Sequence, residues 1–74
     1  MGTVEVFKTN VIGKRNAVYL VGEMNAMFPD HKITIDIDDN DKVLRVENPK
    51  GKVKSDAVIK LLNRRNFHCE VLNY

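Results

Sequence analysis

Isoleucines at every second position constrain the fold of this chain more than any other feature of its sequence. They alternate with polar residues, which is the two-residue period of a strand that buries one face: Ile33, Ile35 and Ile37. Residues 38–41 are Asp-Asp-Asn-Asp, a run that favours a turn. A second strand is predicted from Lys42 to Glu47, with two apolar residues facing the core: Leu44 and Val46. Two strands joined by so short a link form an antiparallel hairpin.

Two helices are predicted on either side of this hairpin. The first spans Lys14–Phe28, where apolar residues recur at helical spacing: Ala17, Leu20, Val21, Met24, Met27 and Phe28. Pro29 ends it. The second helix begins after an N-cap at Ser55 and carries a short apolar face: Val58, Ile59, Leu61 and Leu62. Asn66 can adopt the left-handed conformation that ends a helix.

Two further strands complete the pattern. In the first strand of the chain, the alternation of residues predicts that Val4 and Val6 face the core. It predicts that Glu5 and Phe7 lie on the open face of the sheet. The last spans Phe67–Leu72, with Cys69 on the same face as Val71. The order strand–helix–strand–strand–helix–strand predicts an α+β fold, a ferredoxin-like βαββαβ sandwich. Its four-stranded antiparallel sheet carries two helices on one face.

The composition excludes several classes of protein. A length of 74 residues and a mass of 8.5 kDa suit one domain, predicted at 1–74. Twelve basic and ten acidic residues give a net charge of +2, too small to call for a nucleic-acid or membrane partner. One cysteine cannot form an internal disulfide framework, and no apolar run approaches the roughly 20 residues of a membrane span. The first residues do not resemble a signal peptide, so we expect a cytoplasmic location.

This arrangement resembles the heavy-metal-associated domain family, the small copper and zinc chaperone modules. The resemblance covers nearly the whole chain. It includes the hairpin ITIDIDDNDKVLRVEN and the closing segments LLNRRNF and HCEVL. Asn66 and Phe67 resemble the glycine and aromatic residue that precede the last strand in the family. The resemblance implies the same fold. In family members, two cysteines spaced C-x-x-C in the loop between the first strand and the first helix bind one soft metal ion.

The corresponding loop of this chain contains no cysteine. Depending on register, the two ligand positions fall on Val11 and Lys14 or on Gly13 and Asn16. None of these side chains is a thiolate, the ligand that copper and zinc chaperones supply. We therefore expect this chain to bind no metal ion at this loop, and no other cofactor is indicated.

Cys69 and His68 are the remaining candidates for a soft-metal site. Neighbouring residues on a strand point to opposite faces, so the two side chains cannot easily share one ion. Cys69 is interpreted as a small buried apolar residue. The alternative hypothesis is a copper or zinc carrier with non-standard ligands, in which Cys69 acts together with a thiol from a partner.

Two motifs admit other interpretations. Residues Asp36–Glu47 match the spacing of an EF-hand calcium loop, except that Asp41 replaces the glycine. An EF-hand needs flanking helices, whereas these residues alternate as strands, so an acidic hairpin turn is the preferred interpretation. An RNA-recognition motif shares the element order but needs aromatic residues on both central strands. Phe7 could be one of them, but residues 43–46 offer none.

The preferred functional hypothesis is a protein-interaction module, or a self-associating protein. The predicted contact region is the open face of the sheet or an edge strand. Its expected residues on the open face are Glu5, Phe7 and Arg45. No serine–histidine–aspartate, cysteine–histidine or paired-carboxylate arrangement is recognisable, so we do not expect an enzyme.

Overall fold

Six elements make up residues 2–73, the part of the chain that the computed structural model describes. In chain order they are β1 (Thr3–Thr9), α1 (Lys14–Met27), β2 (Lys32–Asp36), β3 (Val43–Asn48), α2 (Ser55–Arg64) and β4 (Cys69–Val71). The strands form one antiparallel sheet in the order β2-β3-β1-β4. The predicted ferredoxin-like α+β fold is confirmed. The predicted domain bounds, 1 and 74, lie just outside the described residues.

The central hairpin has the predicted register. Ile33 lies opposite Val46, and Ile35 lies opposite Leu44. Ile33, Leu44 and Val46 are buried, and Ile35 packs half-buried against the same core. Ile37 lies just beyond the end of β2 and also packs against the core. The alternation of the isoleucines therefore identifies the face of β2 that contacts the helices.

The faces of β1 are the reverse of the prediction. Phe7 is fully buried and lies opposite Leu44, so it points at the helices. Val6 lies opposite Arg45 and therefore points away from them. The prediction from alternation was wrong because both faces of this strand carry apolar residues. Pairing with β3 decides between the faces, and burial of the phenyl ring removes more apolar surface from water than burial of a valine.

This reversal corrects the predicted interaction face. Phe7 lies in the core, and Glu5 lies opposite the buried Val46, on the helix side of the sheet. Of the three residues predicted for the open face, only Arg45 lies there, and it is exposed.

The helix ends show one confirmed and two corrected details. Asn66 has a φ of 68°, the predicted left-handed conformation. The backbone amide of Phe67 donates to the carbonyl of Leu62 at 2.9 Å. This is the 6→1 hydrogen bond of a Schellman motif. Ser55 is the first residue of α2 rather than its N-cap, and no side chain caps this helix. Met27, predicted on the apolar stripe of α1, is half exposed at the last residue of that helix.

Candidate functional site

The loop between β1 and α1, where the resemblance places metal ligands, is held by interactions within the fold. Val11 is fully buried in the core, and its amide donates to the Thr9 hydroxyl at 3.3 Å. Gly13 has a φ of 87°, a conformation that favours glycine, and it precedes the first turn of α1. The side-chain Nδ2 group of Asn16 donates to the Ile12 carbonyl at 2.9 Å. Lys14 is exposed.

Cys69 and His68 lie on opposite sides of the chain. Cys69 is buried in the core, whereas His68 is exposed with its Nε2 atom 3.6 Å from a carboxylate oxygen of Glu70. Burial, with a smaller effect of Glu70, raises the pKa of the Cys69 thiol to about 12. A protonated, buried thiol is a poor metal ligand and a poor nucleophile. Residues 2–73 contain no group of three or more metal-binding side chains close together. A soft-metal site shared with a partner thiol stays a prediction.

On the open face of the sheet, the face away from the helices, basic residues lie opposite acidic residues of neighbouring strands. Lys32 lies opposite Glu47, and Lys8 lies opposite Glu70. Val6, the apolar residue nearest the centre, lies opposite Arg45. Opposite charges at facing positions on two strands attract one another, so much of the charge on this face is already compensated within the chain.

A basic segment after β3 lines a separate cavity of about 380 Å³. Lys50, Lys52 and Lys54 contribute to its wall, together with His31. The His31 ring lies 5.1 Å from that of Phe28, and its Nδ1 atom is buried without a hydrogen-bond partner in the described residues. The Nζ atom of Lys50 lies 4.0 Å from the Asp30 carboxylate, at a well-exposed position. These features describe a mixed-charge surface.

The strand β2 lies at one edge of the sheet. Because β2 is the first strand in the sheet order, it pairs with β3 on one side and with no other strand of residues 2–73 on its other side. The other edge strand, β4, has three residues against five in β2. An unpaired strand edge presents a row of N–H and C=O groups that can pair with another extended chain.

A groove runs beside this edge, between β2 and α1. Its volume is about 670 Å³. The α1 side is formed by four residues at helical spacing: Lys14, Ala17, Val18 and Val21. The β2 side is formed by residues 34–38. Val18 is 65% exposed although it is apolar, and Val21 is half-buried. The charged side chains of the lining are Lys14, Asp36 and Asp38.

The two flanks of α1 differ in what they contact. On the flank toward α2, Arg65 donates two hydrogen bonds to the Glu23 carboxylate, from Nε at 2.7 Å and from Nη2 at 2.6 Å. This pair lowers the pKa of Glu23 and raises that of Arg65. The flank that carries Val18 lines the groove beside β2 instead. The sequence suggested an edge strand as a contact region but not the groove beside it. The available signal was Val18, an apolar residue that lies outside the predicted apolar stripe of α1.

Comparison of the chain with family models, with curated proteins and with solved structures finds no match. The resemblance to heavy-metal-associated domains stays a prediction that rests on the sequence segments quoted above. No helix within residues 2–73 is both long and apolar enough to cross a membrane.

Proposed function

We propose that this chain is a protein-interaction module that binds an extended segment along the free edge of β2. The segment adds a strand to the sheet through its backbone, and its apolar side chains enter the groove between β2 and α1. The observation that carries the proposal is the continuity of the two features. The groove lies directly against the one side of β2 that has no strand partner in residues 2–73. Backbone pairing supplies affinity in this mode of recognition, and the adjoining pocket supplies specificity.

The exposed apolar surface at the groove supports this proposal. Val18 and Val21 face the groove from α1, and Ile35 faces it from β2. Covering an exposed valine side chain contributes about 1.5 kcal/mol, because apolar surface leaves water. A strand bound along β2 would cover these side chains and would also form hydrogen bonds with the N–H and C=O groups on the free side of β2.

The open face of the sheet is a weaker candidate for the interface. Its charges face one another across strands, as Lys32 faces Glu47. A partner that covered this face would have to desolvate these groups without offering better partners for them. The β2 edge is the second of the two surfaces that the sequence suggested. The backbone N–H and C=O groups on its free side are not paired with another strand of residues 2–73, so a bound segment can pair with them directly.

The chemistry of the site restricts the bound segment. It must be extended, with apolar residues at alternate positions for the helix side of the sheet. On the open side, an acidic residue opposite Lys32 and a basic residue opposite Asp36 would favour binding, because opposite charges at facing positions attract one another.

A display library of random linear peptides tests this proposal. The chain is immobilised at a density too low for neighbouring copies to meet. Selected peptides are then titrated into the isotope-labelled chain, and the amide NMR shifts are mapped. We expect peptides with alternating apolar residues, and shift changes centred on residues 32–38 and on Val18.

A pair of adjacent residues provides the matched control. Val18 and Tyr19 are 65% and 57% exposed, but only Val18 lines the groove. Val18→Glu should weaken peptide binding about tenfold, the equivalent of about 1.4 kcal/mol, whereas Tyr19→Glu should leave it unchanged. Equal effects of the two substitutions, or shift changes confined to β4 or to the open face, would contradict the proposal.

A further inference from the structure

We infer that the segment that occupies the β2 edge is β2 of a second copy of this chain, in an antiparallel, two-fold symmetric pairing centred on Thr34. The inference rests on the proposed function, because it uses the same edge and the same groove. It names the occupant and its register.

Geometry leaves few registers for such a pairing. A two-fold axis perpendicular to the sheet relates the two strands, and side chains that lie opposite one another must share a face of the sheet. The register can therefore move only in steps of two residues about the centre. Because β2 spans Lys32–Asp36, centring on Thr34 is the one choice that pairs every residue of the strand.

The charges of β2 match themselves in this register. Lys32 of one copy lies opposite Asp36 of the other, and symmetry makes the same contact a second time. On the helix side, Ile33 lies opposite Ile35. A step of two residues in one direction places Lys32 opposite Thr34, and a step in the other direction places Asp36 opposite Thr34. Either step loses the charge pairing within the strand.

The groove fits the same arrangement. An axis perpendicular to the sheet leaves both helical layers on the same side, so the α1 helices of the two copies face one another across the paired β2 strands. The flank of α1 that lines the groove carries Val18, which is 65% exposed in one copy. Pairing covers Val18, Val21 and Ile35 from both chains with one another. The other flank of α1, where Glu23 binds Arg65, is not involved.

Charge reversal tests the partner and the register together. Asp36→Lys places lysines opposite one another twice in the pair, and Lys32→Asp places aspartates opposite one another twice. Each variant alone should dimerise about 30-fold more weakly than the wild type in sedimentation equilibrium, because each substitution acts at two contacts. An equimolar mixture of the two variants should recover dimerisation, because both contacts are again of opposite charge.

The same charge change at the other edge of the sheet is the control. Glu70 lies on β4, at the edge of the sheet that the proposed pairing does not use, so Glu70→Lys should leave dimerisation unchanged. Lys32→Asp also places an acid opposite Glu47 within the chain, so thermal unfolding is recorded for each variant. Asp36 lies opposite Val43, so Asp36→Lys places no like charges opposite one another within the chain. It removes only the carboxylate that accepts a hydrogen bond from the Asp38 amide at 3.1 Å, and it keeps the test valid if Lys32→Asp folds poorly.

Cross-linking reads the register directly. In the pairing centred on Thr34, the thiols introduced by Thr34→Cys start from Cβ atoms about 5 Å apart, close to disulfide distance. The thiols introduced by Lys32→Cys are displaced by four residues along the strands, about 13 Å. Mild oxidation should therefore link the Thr34→Cys dimer and not the Lys32→Cys dimer. The native Cys69 is buried with a raised pKa and does not compete.

Three results would overturn the inference. They are a wild-type chain that stays monomeric at high concentration, charge-reversed variants that dimerise as well as the wild type, and cross-linking through Lys32→Cys in place of Thr34→Cys. The first result is separable from failure of the proposed function. A monomer whose residues 32–38 still respond to selected peptides keeps the interaction site and loses only the second copy as its occupant.

Discussion

The side chain of Phe7 tests the reversed faces of β1. Phe7 is fully buried and lies opposite Leu44, which is also buried. Replacing a buried phenylalanine with alanine costs about 3–5 kcal/mol, because apolar contacts are lost and a cavity remains. A chain of 74 residues has a total stability of about 4–11 kcal/mol, at roughly 0.05–0.15 kcal/mol per residue. Phe7→Ala would therefore remove a large part of the stability and leave little to measure.

Phe7→Leu is the better perturbation because the variant should remain folded. Leucine removes part of the ring volume from a fully packed site, and we expect a loss of about 1–2 kcal/mol. The urea slope of a domain this small is about 1 kcal/mol per molar, so the unfolding midpoint should fall by about 1–2 M. Circular dichroism in a urea series measures this shift.

Val4 provides the control on the same strand. It lies opposite Glu47 on the open face and is 41% exposed. Val4→Ala should change the free energy of unfolding by no more than about 0.5 kcal/mol, because little packing is lost at such a position. A larger loss for Val4→Ala than for Phe7→Leu would refute the reasoning. It would mean that β1 presents its other face to the helices, as the alternation alone predicts.

Three further predictions concern other single side chains. Asn66 has a φ of 68°, so Asn66→Ala should lower the free energy of unfolding by about 1 kcal/mol, as measured by thermal denaturation. A loss of stability in Asn66→Gly would contradict this account, because glycine adopts this conformation readily. The Cys69 thiol, with a pKa of about 12, should react with a thiol reagent far more slowly in dilute neutral buffer than in urea, and equal rates would show that it is accessible. Arg65 lowers the pKa of Glu23 in the folded chain, so this pair stabilises the fold above the ordinary carboxyl pKa of 4.5 and loses its effect as the pH falls through the lowered value. Glu23→Gln should therefore lower the melting temperature at neutral pH but not in strong acid, and a difference independent of pH would exclude the pair as its cause.

The sequence by itself determined the elements whose pattern is local. The alternation of Ile33, Ile35 and Ile37 places the helix-facing side of β2, because only one set of alternate residues is apolar. The end of α2 follows equally from local chemistry, since Asn66 tolerates the left-handed conformation that closes a Schellman motif. Such features depend on neighbours within a few residues, and the chain supplies those neighbours in order.

The faces of β1 and the partners of α1 needed the tertiary structure. Both sets of alternate residues in β1 carry apolar side chains, so only pairing with β3 selects Phe7 for the core. In α1, spacing identifies the buried stripe but not which exposed flank lies beside another element. The contact of Glu23 with Arg65 joins residues 42 positions apart, and no local pattern predicts it.

The candidate site combines both kinds of information. The order Lys-Ile-Thr-Ile-Asp in β2 is visible in the sequence. Its two opposite charges lie at equal distances on either side of Thr34. This arrangement has a consequence only because β2 lies at the edge of the sheet, where Val18 of α1 lines the adjoining groove. The position of a strand within a sheet depends on contacts between distant segments, and the same five residues in a central strand would have both sides paired and no free edge to offer.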